Sequence, residues 1–191
     1  MNWKELPAKR TVKLLALVLT SLLIASISAS VYYSLSMDST TTTATPVVTF
    51  VAGDDSVEAG ATGYATDGTY VYLASLKAYP NATLTYDSAI NITATAGTSF
   101  RLRHGSINDD VSTGNFSSIV FKLIASNGTQ YGGDFTYDNA NGDDTWSTPS
   151  DMGYQTILAS EEWAVKVVTL AHSGATVSVA ATIEIYVDVS E

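Results

Sequence analysis

From residue 177 to residue 189, Val177, Val179, Ala181, Ile183, Ile185, Val187 and Val189 alternate with Ser178, Ala180, Thr182, Glu184, Tyr186 and Asp188. An extended chain puts successive side chains on opposite faces, so this stretch carries one almost wholly apolar face, whereas a helix would scatter the same residues around its circumference. A strand of this kind needs a sheet around it and a second layer to bury its face. Short strand-forming segments recur upstream at 46–53, 68–76, 82–87, 89–96, 99–104 and 117–126. The last of these runs through Asn127-Gly128, a hairpin signal, into 129–137, and two more follow at 153–159 and 161–171. The polar segment 138–153 reads as a long surface loop. No helical period competes, so the expectation is all-β: an antiparallel two-sheet, jelly-roll-like sandwich spanning residues 46–191, with Trp163 packed inside.

The N-terminal end of the chain reads differently. Lys4, Lys9, Arg10 and Lys13 precede LLALVLTSLLIASISAS, an apolar run tapering into small residues. That order is a Sec-type signal peptide over residues 1–29, cut near Ala29 or Ser30, with the membrane met only during export. Two other fates stay open. Residues 14–37 carry no charge, which suits a retained membrane anchor, and a type IV pilin signal would be cut ahead of the apolar run and keep it.

Beyond residue 30, the five basic residues Lys77, Arg101, Arg103, Lys122 and Lys166 stand against eighteen acidic ones, a formal charge of about −13. Such a surface repels nucleic acid and anionic lipid, which removes both as partners. The chain has no cysteine, which excludes a disulfide scaffold and thiol chemistry. With an extracellular address, the sequons at Asn81, Asn91, Asn115 and Asn127 become candidate N-glycosylation sites.

Catalytic chemistry finds little support. His104 and His172 each stand beside turn residues and read as solvated turn histidines. No nucleophile motif, zinc signature or phosphate loop occurs, and the chain does not read as an enzyme. The acidic pairs Asp54-Asp55 and Asp109-Asp110 read as solvated turns. Those pairs and the cluster holding Asp138, Asn141 and Asp143 are weak calcium candidates, but the cluster lacks the spacing and closing Glu of an EF-hand loop, so no cofactor beyond such a weak calcium site is expected. Tyr64, Tyr70, Tyr72 and Trp146 suit either a sugar site or the core and edges of a sandwich.

Residues 31–37 pose a different question. Val31, Tyr33, Leu35 and Met37 alternate with Tyr32, Ser34 and Ser36, and a Thr run, Thr40 to Thr43, separates them from the sandwich. A strand on such a tether either folds back as an edge of its own domain or leaves to join a neighbour's sheet. The second contact is head to tail and repeats without closing, which builds a filament.

Several passages resemble one family. The basic signal, ASVYYSLSMDSTTTT, ATPVVTFVAGDDS, LKAYPNATLTYDSAINIT and EEWAVKVVTL ahead of an alternating last strand look like the subunits of archaeal bundling pili, similar in fold to the TasA and camelysin biofilm proteins. The resemblance implies an exported jelly-roll pilin that polymerises by donor-strand complementation into extracellular, laterally bundling cell-surface filaments, with identical subunits as partners. Carried over by position, residues 30–45 become donor strand and linker, and Val31, Tyr33, Leu35 and Met37 the inward side chains. The strand at 177–189 is expected to contribute to the floor of the acceptor groove. The competing expectation is a monomeric, membrane-anchored surface glycoprotein or carbohydrate-binding module.

Overall fold

Among the described residues, ten strands and one helical turn follow one another: β1 (Val48–Ala52), β2 (Ala61–Thr62), α1 (Tyr64–Asp67), β3 (Tyr70–Ala78), β4 (Thr83–Ala94), β5 (Thr98–Asp109), β6 (Phe116–Ala125), β7 (Gln130–Asp138), β8 (Gln155–Ile157), β9 (Glu162–Ala171) and β10 (Val179–Ser190). This computed structural model describes residues 45–109, 116–139, 145–175 and 179–190. The chain divides after Ala44, and the unit Thr45–Glu191 holds all of the described residues.

The strands form two five-stranded sheets, β1-β4-β9-β6-β7 and β2-β3-β10-β5-β8, paired antiparallel throughout. Their order has a simple origin. β6 pairs with β7, β5 with β8, β4 with β9 and β3 with β10. The chain from β3 to β10 is thus one long hairpin whose successive pairs fall alternately in the two sheets, which is a jelly roll. β1 extends one sheet beside β4, and β2 the other beside β3.

The fold of that long hairpin lies at Asn127-Gly128. Gly128 N–H donates to the Ala125 carbonyl at 2.8 Å, and Gly128 takes a φ of 80°, a conformation that costs a residue without a Cβ little. From there the inward rows meet as expected from the alternation. Trp163 of β9 is buried, edge-on to Phe100 of the opposite sheet at 5.5 Å and stacked on Tyr131 at 4.5 Å. Phe121, Phe135 and Tyr137 form a second aromatic knot, and Ala181, Ile183, Ile185 and Val187 form the buried inward row of β10.

The segments 82–87 and 89–96 join into one strand, β4, whose register shifts between Tyr86 and Ile90. The polar Asp87-Ser88 step is a bulge rather than a turn, because a neighbouring turn supplies its partners. Ser88 N–H donates to Asp55 Oδ2 at 3.1 Å, and the Ser88 carbonyl accepts from Asp55 N–H at 3.0 Å. Gly53 makes that approach possible, since a Cβ there would lie 2.2 Å from the Ser88 carbonyl oxygen. Asp55 therefore latches a bulge. The single turn α1 was absent from the all-strand expectation and is too short to show a period.

Side chains also tie the sheets together. Lys77 N–H on β3 donates to Tyr86 Oη at 2.9 Å, and the Lys77 carbonyl accepts from the buried Thr169 Oγ1 at 2.6 Å. Both bonds satisfy backbone groups on the side of β3 facing the other sheet, where unpaired groups would be costly.

Candidate functional site

One flank of the sandwich is short of a strand. β5 has twelve residues, yet β8 pairs only with Thr98, Ser99 and Phe100. Among the described residues, no strand and no backbone hydrogen bond meets the outer side of β5 from residue 101 to residue 109. The facing edge of the other sheet, β7, has among the described residues a single bridge on its outer side, Asp138 to Ser147. Unpaired edges are templates for pairing with another chain, and proteins usually cover or charge them.

Residues 145–154 pass along this flank from β7 to β8. Trp146 and Met152 pack partly buried against the core. From Thr148 to Tyr154 no backbone–backbone hydrogen bond joins this strap to either sheet among the described residues. Beyond the Ser147 bridge its attachment is by side chains: Asp151 pairs with Arg101, the Tyr154 ring lies 5.1 Å from the Arg101 guanidinium, and Gln155 Nε2 donates to the Met152 and Gly153 carbonyls. The Trp146 indole N–H is buried without a hydrogen-bond partner among the described residues.

Beneath the strap, His104 of β5 and Tyr137 of β7 face each other, Nδ1 to Oη at 2.9 Å. Burial lowers the His104 pKa against a smaller opposing pull from Glu184, and burial raises that of Tyr137. The solvated-turn expectation for His104 is corrected: Phe100, Leu102 and His104 share one side of β5, so the histidine continues the inward row. That alternation in SFRLRH was the sequence signal available for it. His172, beyond the end of β9, is also engaged, its Nε2 lying 2.8 Å from the Asn139 carbonyl.

The outer face of the same sheet carries Arg101 and Arg103, the only arginines beyond Arg10. Arg103 Nε donates to both Asp188 oxygens at 3.0 and 3.1 Å, and its guanidinium lies 4.4 Å from the Tyr186 ring centre. Glu184 accepts from Tyr186 Oη at 2.8 Å, from Ser106 Oγ at 3.3 Å and from the Tyr72 hydroxyl. The Tyr72 and Tyr186 bonds hold the Glu184 carboxyl below the usual carboxylate range, and the bond to Glu184 pushes Tyr72 up to about 12. Tyr70 joins the cluster edge-on to Tyr72 at 5.6 Å. Of the tyrosines and tryptophans open to either role, Tyr70 and Tyr72 therefore lie on this outer face, while Tyr64 and Trp146 lean on the core.

The residues singled out in the sequence fare unevenly. Val31, Tyr33, Leu35 and Met37 lie outside the described residues, as do Asn115, Asn141 and Asp143. Asn81 is exposed in the tight turn between Tyr79 and Ala82, with a φ of 60°. Asn127 is exposed at the hairpin tip, where its Oδ1 accepts from Thr129 N–H at 2.9 Å. Asn91 lies half-buried on the outer face of β4, its amide donating to Glu162 and accepting from Ser88 Oγ. Asp138 spends its backbone on Ser147, and no group of three metal-ligating side chains occurs among the described residues. β10 is paired on both sides, by β3 and β5, so it lies one strand inside the open edge and has no edge of its own to offer.

No protein-family model matches the chain, and no curated protein matches it.

Proposed function

We propose that the chain is a structural subunit of an extracellular filament, a pilus or biofilm-matrix fibre, that polymerises head to tail by donor-strand complementation. One observation carries this reading: a flank short of a strand, in a chain whose sequence holds a spare one. The edges of β5 and β7 are unpaired over most of their length among the described residues, and residues 31–37 alternate apolar and polar ahead of a Thr run. Lateral bundling falls to the outer faces, where the Tyr70, Tyr72, Tyr186 and Arg103 cluster offers the aromatic and arginine chemistry enriched at protein interfaces.

The test is electron microscopy of the mature chain against a variant lacking residues 31–38. Long filaments from the first and monomers or amorphous material from the second are the expected result. Filaments of undiminished length from the deletion overturn the reading.

The tyrosine and Glu184 face also favours a second reading, a membrane-anchored surface glycoprotein or carbohydrate-binding module. An intact N-terminus beginning at Met1 in the membrane fraction, with glycan binding lost in Tyr72→Ala, would select it.

A further inference from the structure

The edge that receives the strand can be named, on the premise that the chain is a filament subunit. We propose that the outer edge of β5, residues 101–109, accepts residues 31–37 of a second copy, and that the strap at 145–154 holds that place in the free subunit and gives way when the donor arrives.

Four observations favour this edge. The jelly-roll pairing leaves β5 with the largest deficit, because β8 covers three of its twelve residues. The unpaired stretch, 101–109, is about as long as the alternating stretch 31–37, so a donor in register leaves little edge over. The inward row of β5, Leu102, His104 and Ile107, borders the core, so the apolar row Val31, Tyr33, Leu35 and Met37 would continue that layer where Trp146 and Met152 now rest. Finally, apart from the Ser147 bridge to β7, the strap fills the place without a ladder: among the described residues, 148–154 make no backbone bond to either sheet and the buried Trp146 indole N–H has no partner. A segment held beyond its Ser147 bridge by side chains yields to one that brings a full set of backbone donors and acceptors.

The other edges are less suited. β7 is interrupted by Gly132 at a φ of 69°, beside a register shift against β6, and bulged edges resist pairing. β1 is engaged on its outer side, where Phe50 N–H donates to the Gly68 carbonyl at 2.6 Å. β3 is covered by β2 and by the Tyr86 and Thr169 bonds at Lys77.

The chain has no cysteine, so introduced thiols report without background. Ser34→Cys is combined in the full chain with Arg103→Cys or with Ser106→Cys on β5, both facing outward like Ser34 on the polar side of the donor. Two control pairs combine it with Thr136→Cys on β7 and with Thr49→Cys on β1. Each variant is assembled under reducing conditions, checked for filaments by electron microscopy, then oxidised and run on a non-reducing gel. The expected result is a ladder of multimers from at least one β5 pair and none from the controls. A ladder from the Thr136 or Thr49 pair, or filaments in which neither β5 pair links, overturns the assignment and leaves the filament reading standing. Failure of the cysteine-free parent to form filaments overturns that reading and this one together.

Discussion

His104 Nδ1 lies 2.9 Å from Tyr137 Oη, joining β5 to β7 across the flank where, among the described residues, neither strand has an outer neighbour along most of its length. Burial holds the Tyr137 proton in place and favours the neutral imidazole, so this is a hydrogen bond between two neutral groups whose direction follows the His104 tautomer. The bond lies under the strap and links the two sheets at their least supported margin.

That relationship makes the fold sensitive to mild acid. Burial lowers the His104 pKa below its ordinary 6.5, with Tyr137 on β7 facing it and Glu184 on β10 pulling weakly the other way. The unfolded chain therefore binds the proton first, and stability is full above pH 6.5 and falls as the pH drops from there towards the folded pKa. Glu184 adds a second loss below its ordinary 4.5, because hydrogen bonds from Tyr72 and Tyr186 lower its folded pKa. Thermal melts between pH 8 and pH 4 should show two declines, and His104→Gln should flatten the upper one while leaving the lower. An upper decline of equal size in His104→Gln would refute the assignment.

The two described tryptophans should respond oppositely to trimming. Trp163 is buried between Phe100 and Tyr131 and its indole donates to Glu161 at 3.3 Å, so Trp163→Phe leaves a void and costs about 2 kcal/mol or more. Trp146→Phe loses some contact but also removes a buried, unbonded N–H whose desolvation costs about 1–3 kcal/mol. It should fall within about 1 kcal/mol of the parent in urea unfolding.

Gly53 permits the closest backbone approach in the turn that latches the β4 bulge. Gly53→Ala drives a Cβ to within 2.2 Å of the Ser88 carbonyl, which is backbone and has no rotamer to yield. The expected loss is about 2–3 kcal/mol, read by chemical denaturation. Asp55→Ala, which removes one latch bond but no space, should cost about 1 kcal/mol.

The sandwich was legible because its strands alternate. The buried row Ala181, Ile183, Ile185, Val187 was readable from residues 177–189 alone, and Asn127-Gly128 announced the hairpin around which the jelly roll is wound. Local pattern could not say that Asp87-Ser88 is a bulge, because its partner Asp55 lies more than thirty residues away. Nor could it say that β8 stops after three residues or that His104 meets Tyr137, since both depend on which strands become neighbours. The open flank is a property of pairing, and one-dimensional periodicity carries no pairing information.

Glycans should sort by geometry among the described sequons. Asn81 and Asn127 sit exposed in turns, whereas the Asn91 amide is committed to Glu162 and Ser88 within a strand. If the chain is exported as proposed, peptide mass mapping of the native protein should find modification at Asn81 and Asn127 and an unmodified Asn91. Asn127→Gln and Asn81→Gln should each remove one glycan mass without lowering the melting point by more than about 3 °C, since exposed turn substitutions change stability little. A glycan on Asn91 would mean that the chain is modified before β4 and β9 pair.

Strap release should set the pace of assembly. Asp151 ties the strap to Arg101 through a partly exposed ion pair, and such pairs are worth about 0–1 kcal/mol. Asp151→Ala therefore leaves the fold nearly as stable as before, because Arg101 keeps Asp188 at 3.4 Å, but raises the open fraction of the strap by up to about fivefold. If the donor enters where the strap now lies, the lag before filaments appear, followed by light scattering at fixed protein concentration, should shorten by about twofold to fivefold. The effect should fade at high salt, where the parent ion pair is screened and the parent itself assembles faster. An unchanged lag with unchanged stability would separate the strap from the assembly step.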